Sequence, residues 1–317
     1  MSGAAASGAP RRGSGLAVTL VVAGLLCQEV GASLAVLLFD DVGPLGMVML
    51  RLVFSAVLLL LIARPSLRGH SRRGWTSVLA FGLVLATMNG LFYLALERLP
   101  LGVTVTIEVL GPLALSIIAS RRASALVWAG LALVGVAALG GGGWDRLDPL
   151  GVVFALGAAA SWALYILASA RVGAEFPKLD GLALAMAFGA LLALPFGIVQ
   201  AGGALLRVDL LAVGAAVAVL SSTIPYALEL IALRRLPAAA FAILMSLGPA
   251  TASLAGFVLL GQHLSWLEVV CIALVIAASI GAVLTAARAR PAASASSGES
   301  GGSGPASEEP PLAEPLG

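Results

Sequence analysis

Charge is scarce in this chain. Of 317 residues, 11% are Asp, Glu, Lys or Arg and 60% are hydrophobic, whereas a water-soluble domain carries roughly 25% charged residues. A mean hydropathy of +1.05 leaves too little polar surface to cover a globule in water. The composition excludes a soluble fold and implies an all-α integral membrane protein. Net charge is only +2, so it says little about partners. Cysteine and histidine number two each. Cys27 and Cys271 lie far apart inside apolar runs, which fits packed thiols and neither a disulfide nor a metal site. His70 and His263 fall in short polar loops. Lysine is reduced to Lys178 beside seventeen arginines, which with the abundant Ala and Gly points to a high-GC bacterial genome. No CxxC, HExxH, nucleophile elbow or P-loop occurs. Gly140–Gly143 lacks the Lys-Ser/Thr of a phosphate loop and reads as a flexible connection. These absences speak against an intramembrane enzyme, and no cofactor and no nucleic-acid partner is expected.

What the chain does have is long apolar runs. A spanning helix needs about 20 mostly apolar residues, and ten segments qualify: 16–38, 44–63, 75–96, 101–119, 124–140, 150–170, 181–200, 210–233, 238–260 and 266–287. Residues 1–15 are expected to form a cytoplasmic N-terminal segment and residues 288–317 a Ser/Gly/Pro/Glu-rich cytoplasmic tail expected to be disordered. Fourteen basic residues, among them Arg11, Arg12, Arg64, Arg68, Arg121, Arg122 and Lys178, fall on one side of the predicted spans. Only Arg98, Arg146 and Arg207 fall on the other. By the positive-inside rule both termini are cytoplasmic.

The chain also repeats itself. Residues 94–118 and 231–255, offset by 137, share nine identities in 25 positions. Arg98-Leu99-Pro100 meets Arg235-Leu236-Pro237, and Gly111-Pro112 meets Gly248-Pro249. The expected architecture is therefore two five-helix halves, 16–140 and 150–287. An odd number of spans inverts the second half relative to the first, an arrangement known from secondary transporters. Paired Gly-Pro interruptions in corresponding helices point to the binding site, because broken backbone at membrane depth is tolerated where it lines a cavity.

Glu29, Arg51, Glu108 and Glu229 sit inside predicted spans, where each costs about 2.5–3.5 kcal/mol on insertion scales and should face the interior. Glu108 lies one turn before Pro112, and its matched position in the second half is Met245. It reads as a proton carrier or a partner for a substrate ammonium, or else as half of a structural ion pair with Arg51. Arg51 is a counter-ion or a fork for a substrate carboxylate. Glu29, beside Gln28, is a second candidate for proton coupling. Asn89, Ser161, Trp162, Tyr165, Thr223, Pro225 and Tyr226 complete a candidate cavity wall, although such residues also serve simply to pack helices.

With those residues in hand, the chain resembles the drug/metabolite transporter superfamily, EamA family, and within it bacterial inner-membrane exporters of threonine and homoserine. The resemblance covers about residues 16–287. It rests on Gly31-Ala-Ser-Leu-Ala35 with Leu50-Arg-Leu52, and on Glu108 with Gly111-Pro112-Leu113-Ala114 and Ser120-Arg121-Arg122. Further strings are Trp162-Ala-Leu-Tyr-Ile-Leu167, Ile224-Pro-Tyr-Ala-Leu-Glu-Leu-Ile-Ala-Leu233 and Met245-Ser-Leu-Gly-Pro-Ala250. It implies ten spans in inverted repeats and export of small amino acids exchanged for protons across the inner membrane. Two departures stand out: Glu29 where relatives tend to carry a small polar residue, and Gly248 where they often carry an acid.

The sequence thus predicts a secondary exporter with substrate bound by Gln28, Arg51, Asn89, Glu108, Trp162, Tyr165 and Tyr226, and with protons carried by Glu108 and Glu29. Its partners are a small metabolite, protons and the lipid bilayer, with a homodimer as an option. A broader drug, nucleoside or other metabolite exporter is the nearest rival. A non-transporting scaffold is the other, and the mid-bilayer charges argue against it.

Overall fold

The computed structural model describes residues 13–120, 123–139, 147–233, 235 and 238–296, and every structural statement below concerns these. The Gly140–Gly143 connection, Arg121, Arg122, Arg234, the first twelve residues and the tail from residue 297 lie outside this set. Among the described residues the secondary structure is helical throughout: α1 (Gly13–Val36), α2 (Phe39–Ala63), α3 (Arg72–Leu96), α4 (Leu101–Glu108), α5 (Leu110–Ser120), α6 (Ala123–Leu139) and α7 (Pro149–Glu175). There follow α8 (Asp180–Ala201), α9 (Val208–Ala218), a π turn (Val219–Thr223), α10 (Ile224–Leu233), α11 (Ala238–Met245), α12 (Gly248–Leu260) and α13 (Trp266–Ser296). Seven helical stretches are long and apolar enough to cross a membrane, and three shorter apolar ones run over Leu101–Leu115, Leu126–Ala138 and Val208–Thr223. The protein is a multi-pass membrane protein. Its large apolar side chains face outward, with Leu61, Leu126, Phe196 and Val199 each more than 60% exposed. Its interior is rich in Ala, Ser and Gly, which let helix backbones approach closely.

Three expected segments are interrupted, and prolines account for where. Pro112 brings no N–H to the carbonyl four residues back, which belongs to Glu108, and α4 ends there. The break therefore falls at Val109, ahead of the Gly111-Pro112 pair that predicted it. Pro249 withholds its N–H from Met245 in the same way, and α11 ends at Met245. Pro225 does so for Ser221, inside the π turn. At the other end of the chain, α13 continues beyond the expected boundary at 287 to Ser296. The segment 286–295 holds six alanines, the strongest helix former, and the helix runs on through Pro291.

α2 packs along α8, α3 against α7 and α8, α1 against α10 and α12, α4 against α12, and α6 against α13. At the start of α2, Gly43 adopts φ +70° ahead of Pro44. This kink leaves the N–H groups of Leu45 and Gly46 to the Gln200 side chain of α8, whose Oε1 accepts both, at 2.6 and 3.2 Å.

Asp148 caps α7. Its Oδ1 accepts from the N–H groups of Leu150 (2.8 Å) and Gly151 (3.2 Å), and its Oδ2 accepts from Arg98 Nη1 at 3.0 Å. The hydrogen bond from Arg98, more than the backbone bonds, holds this carboxyl below the usual carboxylate range. A carboxylate with a lowered folded-state pKa stabilises the fold above its unfolded pKa and loses that contribution as pH falls through the folded value. Asp148→Ala is expected to lower the thermal midpoint of detergent-solubilised protein at neutral pH, and Asp148→Asn, which keeps a capping oxygen, to lower it less. Both variants should show a shallower decline than wild type on acidification from about pH 5 to about pH 3. Midpoints measured across that range check this, and parallel curves would refute it.

Candidate functional site

A cavity of about 150 Å³ opens where α1, α2, α3, α4 and α7 meet the α11–α12 junction. α1 contributes Gln28 and Glu29 one turn above Ala32 and one turn below Leu25. Arg51 reaches in from α2, Asn89 from α3, and Glu108 from the end of α4. Trp162 and Tyr165 of α7, three residues apart and so on one helix face, line the cavity together with Met245 and Gly248. Six of the seven residues expected to bind substrate, all but Tyr226, thus line one cavity, drawn from α1, α2, α3, α4 and α7.

The charged groups are arranged unevenly. Glu29 is 2% exposed, and its Oε2 has no hydrogen-bond partner among the described residues. Arg51 acts through space on both Glu29 and Glu108, and Glu108 acts on Glu29. The Arg51 guanidinium is also bonded to protein: Nε donates to Ser222 Oγ (3.3 Å), Nη1 to Tyr93 Oη (3.4 Å) and Nη2 to the Ser221 carbonyl (3.1 Å). Asn89 donates its Nδ2 to the Leu85 carbonyl at 2.8 Å, which leaves its Oδ1 as the acceptor of that side chain. Tyr165 packs against Phe81 with the two rings tilted by 45° and their centroids 5.2 Å apart.

Not every nominated residue belongs here. Ser161 turns back to donate to the Gly157 carbonyl at 2.9 Å and does not line the cavity, nor do Thr223 and Pro225. The side chains of Tyr226 and Glu229 lie outside the described residues. Gly111 is packed against α7, where a Cβ would collide with the Ala159 carbonyl. Pro112 lines a second cavity of about 350 Å³, largely apolar, between α5, α7, α11 and α13. Val109, Trp162 and Met245 line both cavities. Sequence reasoning missed Met88 and Phe92 on the α3 wall and the trio of Tyr93, Ser221 and Ser222 behind Arg51. The three consecutive hydroxyl residues Ser221–Thr223 just ahead of Pro225 were a usable signal for the last. Apolar and aromatic residues inside an apolar helix give none.

Among the described residues no group of three or more His, Cys, Asp and Glu is assembled as a metal site. What the cavity offers is two carboxylates, a guanidinium, two carboxamides and an aromatic wall. This donor set can hold a small polar solute by its charged ends. A small charged cavity lies within lipid-facing helices, an arrangement suited to a multi-pass membrane transporter of small molecules.

Comparison with known proteins narrows this. The model of the EamA-like transporter family matches residues 149–284. Over 275 residues the chain is 39% identical to the threonine/homoserine exporter RhtA of Salmonella typhimurium strain SL1344, covering 86% of this chain and 93% of that protein. The exporter of the same name from Escherichia coli K12 is 39% identical over 272 residues, 85% and 92% of the two chains. The chain belongs to the EamA-like transporter family. Among solved structures, one described only as a crystal structure of a protein superposes with a TM-score of 0.60 at 19% identity, covering 86% of this chain and 98% of the other. That likeness speaks to fold alone.

Proposed function

We propose that the protein exports a small zwitterionic amino acid, of the threonine and homoserine kind, across the bacterial inner membrane by alternating access in exchange for protons. The observation that carries this reading is the meeting of Glu29 and Glu108 with Arg51 in one small cavity. An amino acid presents an ammonium and a carboxylate a few bonds apart, and these charges complement that set. The size of the cavity supports a small solute, since drug-sized ligands occupy roughly 300–1,000 Å³. The relatives named threonine/homoserine exporters match over more than nine-tenths of their length, which supports the same substrate class here.

Ten spans in two inverted five-helix halves belong to this reading. α4 with α5, α9 with α10, and α11 with α12 are each counted as one broken span. Two features support the repeat. Leu101–Glu108 and Ala238–Met245 are offset by 137 residues at both ends, the offset of the sequence repeat. The packing is also nearly unchanged when each span is exchanged for its counterpart five spans away. The second span packs on the seventh, the fourth on the ninth and the fifth on the tenth, while contact of the third with the sixth is mirrored by contact of the eighth with the first. Both termini are then cytoplasmic, on the arginine-rich side.

In proteoliposomes loaded with labelled L-threonine or L-homoserine, wild-type protein should give efflux that an inward proton gradient accelerates and that dissipating the gradient slows. No flux of either amino acid through folded protein would end the substrate assignment.

A further inference from the structure

Arg51 is held from behind by a small construction that the transport reading does not use. Pro225 supplies no N–H to the Ser221 carbonyl four residues earlier, and the chain there widens into the π turn Val219–Thr223. π turns inside α-helices occur frequently at functional sites. Arg51 Nη2 donates to that same Ser221 carbonyl at 3.1 Å, and Nε donates to the Ser222 hydroxyl at 3.3 Å. Nη1 donates to the Tyr93 hydroxyl at 3.4 Å. The guanidinium carbon lies 5.7 Å from the Tyr93 ring centroid, within cation–π range. Tyr93 itself is fully buried and fixed by Phe39 and Phe92, with centroids 5.8 and 5.9 Å away. All three nitrogens of the guanidinium are therefore engaged, by α3 and by the π turn, and Arg51 also lines the cavity.

An arginine side chain has four rotatable bonds before its planar fork, and its value in carboxylate recognition comes from holding that fork in one orientation. Neither Tyr93, Ser221 nor Ser222 lines the cavity. Their contacts with Arg51 fix how the fork faces the solute and touch nothing the solute would touch. We infer that Tyr93 and Ser222, with the Ser221 carbonyl exposed by Pro225, are positioning residues that aim Arg51 at the substrate carboxylate and thereby set selectivity for carboxylate-bearing solutes. This rests on the amino-acid export reading above, and in particular on Arg51 as the carboxylate group.

The test uses the full-length protein in proteoliposomes and measures KM and Vmax for L-threonine beside the inhibition constant of L-threoninamide, which keeps the ammonium and lacks the carboxylate. Wild type should prefer threonine by tenfold or more. Tyr93→Phe keeps the ring and removes only the hydroxyl, and Ser222→Ala is similarly conservative. Each should raise the threonine KM about tenfold, the scale of one hydrogen bond to a charged group, with Vmax within twofold and the threoninamide constant unchanged. Arg51→Gln should erase the preference altogether. If Arg51→Gln erases it while Tyr93→Phe and Ser222→Ala both retain it, the positioning inference is overturned and the export reading stands. If Arg51→Gln leaves the preference intact, or wild type transports no threonine, the underlying reading fails and takes the inference with it. A threonine KM and a threoninamide inhibition constant that rise alike, or a fall in threonine Vmax with KM unchanged, would mark Tyr93 and Ser222 as packing residues and overturn the inference as well.

Discussion

Glu108→Gln is expected to reduce gradient-driven threonine efflux by about thirtyfold or more, the largest effect of any single substitution in the site. Glutamine keeps the shape and volume of the side chain and removes only its charge, so the helix end at α4 and the walls of the cavity should persist. What is lost is one member of a buried set of opposite charges, and removing one partner of such a set costs about 2 kcal/mol or more, or roughly a factor of thirty. Glu108 is also the residue whose backbone carbonyl Pro112 leaves without its helical partner, so side chain and backbone both place negative character at the same corner of the cavity. Threonine counterflow at equal pH separates the two roles proposed for the carboxylate. Retained counterflow with lost gradient drive assigns Glu108 to the proton. Loss of both assigns it to the substrate ammonium. Efflux unchanged by the substitution would reduce Glu108 to a structural group.

A second large effect is expected at a residue that carries no charge. Gly111 and Gly248 stand at matched positions of the sequence repeat, yet their surroundings differ. A Cβ at Gly111 would meet the Ala159 carbonyl of α7, which is backbone and cannot swing aside, whereas one at Gly248 would meet only Val105 Cγ1, at an ordinary 3.7 Å. Gly111→Val should therefore drive α5 off α7. Overpacking of a core typically costs about 1–3 kcal/mol and occasionally more, and a collision with main chain belongs at or above the top of that range. The monodisperse fraction recovered in detergent should fall several-fold, with a markedly lower thermal midpoint for what remains. Gly248→Ala should leave both within error of wild type. Equal sensitivity at the two glycines would show that the close approach of α5 to α7 is not what Gly111 provides.

Much of this was legible in the sequence because a bilayer punishes ambiguity. Charged residues at depth are costly enough that Glu29, Arg51 and Glu108 announced themselves, and all three line the same cavity. The Gly-Pro pairs made the interruptions of the fourth and ninth segments legible, although the break at Val109 falls earlier than the pair suggested; the widening ahead of Pro225 in the eighth was not anticipated, and proline alone does not settle the matter, because α8 runs unbroken through Pro195. The supports were harder to read. Tyr93 looks like any aromatic in an apolar helix, and its role depends on Arg51 approaching from a helix forty-two residues earlier in the chain. Ser161 shows the complementary difficulty: a hydroxyl in a helix can satisfy itself on the preceding turn, as it does on Gly157, and sequence alone does not distinguish that from facing a cavity. The asymmetry of the Arg51 contacts arises from the π turn, a local widening whose cause, Pro225, is visible but whose geometry is not.

Val109, Trp162 and Met245 line both the charged cavity and its larger apolar neighbour, so side chains and not main chain are what the two spaces share. A partition made of side chains can yield by rotamer changes without moving a helix. In a transporter the same property that would let a solute pass would also make a place for ions to leak. The ability of the surrounding bilayer to hold an ion gradient then depends on how rarely an indole, a thioether and an isopropyl group are displaced together.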